Sequence, residues 1–112
     1  MTSFRPGDIL LVDFRFADDT GSKKRPVAVV SSEDYQKSRR DVVVVAITTN
    51  TSRTFFGDTP LKHWEEAGLL YPSLSSGVLR TVHQDSVIRK LGALSEEDFR
   101  RVKADLKRVF DL

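Results

Sequence analysis

The chain reads as a mainly β protein of the α+β class. Short antiparallel strands form a small barrel or strongly bent sheet, and an amphipathic helix at the carboxyl end closes one side. Three observations predict this. Apolar residues alternate with polar ones in short runs separated by turn-forming stretches, residues 42–47 form an unbroken apolar run rich in valine, and after Ser95 the apolar spacing changes from two to that of a helix. At 112 residues the expectation is a single domain over 1–112 with one core.

The elements follow in order. Gly7 and Asp8 introduce a first strand in which Leu10, Val12, Phe14 and Phe16 share one face while Asp13 and Arg15 point away. Residues 17–24 are polar and turn-rich, an exposed loop. Residues 26–30 form the second strand, with Pro26 tolerated at its start because its missing N–H falls outside the ladder. Residues 31–40 hold a short helical turn capped by Ser31 or Ser32, with Glu33 and Asp34 in its first turn. The run 42–47 suits a central strand buried on both faces and gives way to the hydroxyl-rich stretch 48–52. Residues 55–61 are a short strand or extended loop. Residues 62–67 are one or two helical turns, anchored by Trp64 and closed by Gly68 at C′. Short strands follow at 78–82 and 87–91. Ser95 caps the last helix with Asp98 three residues on, close to a capping box, and Leu94 and Phe99 occupy the staple positions. Phe99, Val102, Leu106, Val109 and Phe110 supply its apolar stripe.

Composition removes most reactive chemistry. Cysteine is absent, which excludes disulfides, thiolate zinc sites and a cysteine nucleophile. Only His63 and His83 could serve a histidine metal site, so neither metal nor cofactor is expected. No serine sits in a nucleophile elbow, and the six glycines are scattered rather than grouped into a phosphate-cradling loop. The pI of about 9.1 rests on a surplus of two cations, and a split after Pro60 leaves nine basic and eight acidic residues on either side. There is no basic arm; a nucleic-acid surface would have to be a local patch that the fold assembles. No stretch approaches the ~20 apolar residues of a membrane span, and the opening MTSFRPGD lacks a signal-peptide core. Cytoplasmic residence is the expectation.

Three local features remain. Lys23-Lys24-Arg25-Pro26 sets three cations where a loop becomes a buried strand. It is either a solvated charge run or an anion site, with the planar fork of Arg25 fixed by Pro26. Thr48-Thr49-Asn50 ends the buried strand; its hydroxyls either satisfy loose backbone groups or donate to phosphate oxygens. Arg80-Thr81-Val82-His83 alternates on a short strand, with His83 either structural or a proton-transfer group.

In order along the chain, these features resemble the MazF/PemK family. The resemblance runs through Gly7-Asp8-Ile9-Leu10-Leu11-Val12-Asp13-Phe14, then Lys24-Arg25-Pro26-Val27-Ala28-Val29-Val30-Ser31, then Val44-Val45-Ala46-Ile47-Thr48-Thr49. It continues in Gly57-Asp58-Thr59-Pro60-Leu61, Trp64-Glu65-Glu66-Ala67-Gly68-Leu69, Pro72-Ser73, Arg80-Thr81 and Leu91-Gly92-Ala93-Leu94-Ser95. These proteins are toxins of type II toxin–antitoxin modules. The resemblance implies a metal-independent, sequence-specific endoribonuclease on an SH3-like barrel, working as a homodimer and neutralised by a cognate antitoxin. It places catalysis on Arg25 and Thr48.

Such chemistry fits so sparse a chain, because single-stranded RNA brings its own nucleophile, the 2′-OH beside the scissile phosphate. Arg25 would stabilise the phosphorane and Thr48 orient a phosphate oxygen, with His83 the candidate for proton transfer and Asp18 and Asp19 its rivals. Lys23, Lys24, Thr49, Arg53, Phe55 or Phe56, and Arg80 are the candidate RNA contacts. Two other readings stay open: a gyrase-poisoning toxin of the CcdB type on the same fold, and an RNA-binding relic without catalysis.

Overall fold

Gly7 ties the start of the molecule to both of its neighbours, donating its N–H to the Val29 carbonyl (2.7 Å) and accepting from the Leu94 N–H (2.8 Å). From there the computed structural model describes residues 4–14 and 23–112, with Phe14 by its backbone only. Six strands follow: β1 (Asp8–Phe14), β2 (Lys23–Val29), β3 (Asp41–Thr48), β4 (Thr59–Pro60), β5 (Leu74–His83) and β6 (Val87–Ala93). Helix α1 (Glu33–Arg39) lies between β2 and β3, and α2 (Glu96–Phe110) ends the chain. The strands make one antiparallel sheet in the order β4-β5-β3-β2-β1-β6. Among the described residues β4 and β6 do not pair with each other, so the barrel stays open.

Alternate residues of the central strands enter two different cores. On the α2 side lie Ile9, Ala28, Val45 and Ile47 with Leu61, Leu69, Leu94, Val102 and Leu106. On the other side lie Leu10, Val12, Val27, Val29, Val42, Val44 and Val82 with Phe4. The first strand is therefore buried on both faces over Ile9 and Leu10, each fully buried, where its alternation alone suggested one buried face. The expected two-sided burial of 42–47 is present in β3.

Other elements depart from expectation for physical reasons. β2 starts three residues early, because Lys23 and Lys24 pair with Phe14 and Asp13 of β1; the exposed loop is shorter by those two residues. Its remainder, residues 17–22, lies outside the described residues, as do Arg15 and Phe16. Pro26 sits inside β2, opposite Leu11, and the ladder to β3 begins only at Val27. β5 begins at Leu74, since Leu74 and Ser75 pair with Thr48 and Ile47 across a bulge that absorbs the Ser76-Gly77 break. α2 is capped by Ser95, whose Oγ accepts the Asp98 N–H (3.1 Å). The capping box goes no further. The fully buried Asp98 carboxylate accepts instead the N–H groups of Lys62 (3.1 Å) and His63 (2.8 Å) and pairs with Arg101. The sheet covers the apolar stripe of α2 as far as Leu106; Val109 and Phe110 are exposed.

The 62–67 segment is a single turn closed by a Schellman pair, Leu69 N–H to the Trp64 carbonyl and Gly68 N–H to the Glu65 carbonyl, with Gly68 at φ +86°. Here the chain crosses β6 with backbone against backbone. A Cβ on Gly68 would strike the Leu91 carbonyl, and one on Gly92 the Ala67 carbonyl. Gly92→Ala should therefore cost about 1–3 kcal/mol, read as a lower urea midpoint at unchanged m.

His63, on the same turn, reaches Glu97 of α2 (3.2 Å) and Glu66 (3.6 Å). The Glu97 hydrogen bond, with the charges of Glu66 and Asp98, raises the His63 pKa above 6.5 against its desolvation. Hydrogen bonds from Lys62 and His63 hold Glu97 down to about 2. The raised histidine stabilises the fold below about 6.5 and loses that effect as pH rises through its folded pKa. The depressed carboxylate stabilises above about 4.5 and loses the effect as pH falls toward 2. Both are fully present only between about 4.5 and 6.5. Glu97→Gln should cost most stability in that window. The deficit should shrink on either side, with the Lys62 share persisting at high pH, as urea titrations across pH will read.

Candidate functional site

The pairing of β2 with β3 joins Val27 to Ala46, Ala28 to Val45 and Val29 to Val44. Carried two residues further in the same register, it sets Arg25 opposite Thr48. Both lie on the sheet face of the second core, because Arg25 follows the phase of Val27 and Val29 and stands across β1 from Val12. The valines are buried, while Arg25 at the strand's beginning is exposed. The site is thus the edge at which a buried sheet face runs out into solvent.

Arg25 has no ion pair among the described residues, so its fork is free to bind an anion. Thr48 is half-buried, and its Oγ1 accepts the N–H of Asn50 (3.1 Å). The hydroxyl therefore satisfies a loose strand-end group and still has its own proton to donate. Asn50 is in turn fixed by Ser52 Oγ, which donates to Asn50 Oδ1 (2.8 Å). Asn50 belongs to the Thr48-Thr49-Asn50 feature read from the sequence, and Ser52 to the hydroxyl-rich stretch 48–52. The signal for Asn50 was local, a hydroxyl two residues before a turn residue.

Lys23 and Lys24 are exposed beside Arg25. Thr49 is exposed and, one residue past Thr48, turns to the opposite face. Arg53 stacks over the exposed ring of Phe55, 4.7 Å from its centroid, on the segment leaving β3. Phe56, the other candidate there, lies under Arg108 of α2, 4.8 Å away. Arg80 stands across from Val44 on the Arg25 face, four residues along β3 from Thr48.

His83 is not brought to this edge. It stands across from Asp41, seven residues down β3, a strand length of about 23 Å. Alternation along β5 also turns it to the face of Thr81 and Leu79. Its Nδ1 accepts the Asp85 N–H (3.1 Å), which leaves the proton of the neutral ring on Nε2. With Asp13, Arg80, Asp85 and Ser86 it lines a separate cleft of about 480 Å³. Asp18 and Asp19 lie outside the described residues. Among the described residues no group of three His, Asp or Glu is placed to hold a metal ion, and no helix is long and apolar enough to cross a membrane.

Residues 5–110 match the family model for PemK-like, MazF-like toxins of type II toxin–antitoxin systems. The chain belongs to the PemK/MazF toxin family. Among curated protein sequences none matches it. Solved structures do. The Mycobacterium tuberculosis toxin MazF-mt6 is 25% identical, with a TM-score of 0.75 over 94% of this chain and 97% of that one. A mycobacterial endoribonuclease in complex with its cognate antitoxin aligns at 20% identity and TM-score 0.78, covering 98% and 97%. MazF in a Deinococcus radiodurans MazE–MazF complex aligns at 13% and 0.80, covering 99% of each chain. At the two lower identities the likeness is one of fold. Arg25-Pro26 and Ile47-Thr48 of this chain lie just beyond the last β2–β3 pair, Val27 with Ala46.

Proposed function

We propose that this PemK/MazF-family chain is a metal-independent endoribonuclease, the toxin of a type II module, that cuts single-stranded RNA by attack of the 2′-OH on the adjacent phosphate. The observation that carries the reading is the register that sets Arg25 opposite Thr48 at an open strand end. Arg25 donates two N–H groups to the non-bridging oxygens and stabilises the charge of the phosphorane; with a pKa above ~12 it does not act as the acid. Thr48 donates its hydroxyl proton to a phosphate oxygen while Asn50 holds that hydroxyl in place. The 2′-O–P bond forms as the P–O5′ bond breaks, and the 2′-hydroxyl proton passes through solvent to the departing 5′-oxygen, giving a 2′,3′-cyclic phosphate and a 5′-hydroxyl end. Lys23 and Lys24 extend the positive surface along the RNA backbone, and Arg53 on Phe55 offers a stacking platform. This reading assigns no proton transfer to His83, which stands across from Asp41, seven residues along β3 from Thr48.

The reading extends to a homodimer in the cytoplasm that a cognate antitoxin neutralises. The MazE–MazF and endoribonuclease–antitoxin complexes among its structural neighbours support the partner, and growth inhibition follows from loss of mRNA.

Purified protein incubated with mixed-sequence RNA in EDTA should cut it. Arg25→Ala should lower single-turnover cleavage by about 10²–10³. Thr48→Val should lower it about ten- to a hundredfold, the loss of a hydrogen bond to a charged oxygen. His83→Ala should cleave within a few-fold of wild type. Intact RNA together with inhibited gyrase supercoiling would favour the gyrase poison instead.

A further inference from the structure

Around the strand ends from Arg25 and Thr48, on the opposite face of the sheet, lies a groove of about 490 Å³. Its floor is apolar: Leu11, Pro26 and Leu91 are half-buried and Leu69 is buried. Exposed Tyr71 and Arg89 stand at its rim with Thr49. Tyr71 is 64% exposed, and its neighbour Leu70 is 82% exposed. These are high values for apolar bodies set beside an apolar floor. Arg89 stands across from Leu11 on β6; among the described residues it has no ion pair and no carboxylate lines the groove.

The groove is continuous in covalent structure with the proposed reaction site. Pro26 follows Arg25 and Thr49 follows Thr48, so one step along either strand passes from the phosphate side to the groove side. An apolar slot with one aromatic ring, the hydroxyls of Thr49 and Ser73 and one guanidinium without an ion pair among the described residues has the composition that holds a splayed nucleobase and its phosphate. We infer that this groove seats one unpaired base of the RNA flanking the scissile phosphate, with Tyr71 stacking on the base and Arg89 holding the phosphate that follows it. The inference rests on the ribonuclease reading for its substrate. It adds to it a specificity-determining pair, Tyr71 and Arg89, that has no part in the bond-breaking step. An apolar peptide segment of an antitoxin is the rival occupant. The guanidinium, the hydroxyls and the direct strand connection to Arg25 and Thr48 favour the nucleotide.

The test uses the full chain, a short single-stranded RNA containing its cut site, and versions of that RNA abasic at each flanking position in turn. Binding by fluorescence anisotropy is measured in the Arg25→Ala background, and steady-state cleavage in the wild-type background. Tyr71→Ala should weaken binding and raise KM about five- to a hundredfold, the range of one lost base stack, with kcat within about threefold. Tyr71→Phe should restore both. The Tyr71→Ala penalty should vanish on the RNA that is abasic at one particular position, and Arg89→Ala should weaken binding with a shallower salt dependence. Cleavage and binding that are indifferent to Tyr71→Ala overturn the groove while leaving the ribonuclease intact. So does a penalty that persists on every abasic RNA, or one confined to binding of an acidic, apolar antitoxin peptide. Tyr71-dependent RNA binding without any cleavage by wild type would uphold the groove and overturn the ribonuclease. Absence of both binding and cleavage would overturn both.

Discussion

Everything at the Arg25–Thr48 edge depends on β1, β2 and β3 being buried on both faces. Ile9, Ala28 and Val45 go to the helix side while Leu10, Val27 and Val44 go to the other, so each strand has apolar side chains locked into two cores at once. A slip of one residue would exchange the two sets, driving every one of them into the wrong core. Two-sided burial thereby fixes the phase of Arg25 and Thr48, though neither residue is itself part of a core. The guanidinium and the hydroxyl share a face because valines several residues away leave no other register. Pro26 completes the arrangement: with no N–H to donate, it marks where the β2–β3 ladder stops and the strand ends open to solvent.

A second device holds the irregular segments to this frame. Buried or partly buried carboxylates take the N–H groups that turns leave over. Asp8 accepts from Arg5 and pairs with Lys90, Asp58 bridges Phe55 and Gly77, and Asp98 gathers Lys62, His63 and Arg101. An open six-stranded sheet has much loop to restrain and little core for the purpose, and a charge-assisted hydrogen bond restrains two backbone groups with one side chain. The acidic residues spent in this way face inward, away from the edge that carries Lys23, Lys24 and Arg25. Net charge therefore says little about the local field at that edge.

What could be read from the sequence follows from how local each cause is. The β-branched run of β3, the Ser95 cap, the Leu94–Phe99 staple and Gly68 at C′ all depend on neighbours within a few residues, and all are present. Arg25 and Thr48 stood out in the sequence as candidates, and strand phase sets both on one face of the sheet. The failures have distant causes. The Ser-Gly break in β5 hid a strand whose partner lies on β3, and Asp98 gave up its capping-box role to donors more than thirty residues away. The place of His83 was equally hidden, since it follows from pairing with Asp41, seven residues along β3 from Thr48. Tyr71 and Arg89 carried no signal at all, because the groove between them exists only where one segment crosses β6.

That crossing, Gly68 on Gly92, has a consequence for how such a protein can diversify. With no room for even a methyl group between the two backbones, the segment cannot change its height above the strand. Beyond it, Leu70 and Tyr71 project into solvent with almost nothing packed over them. The molecule thus joins a fixed base to a free tip. On the proposed reading, substitutions at the tip alter what the slot grips while its floor keeps its position, so recognition can drift from one toxin to another while the Arg25–Thr48 edge on the other side of the strands stays as it is.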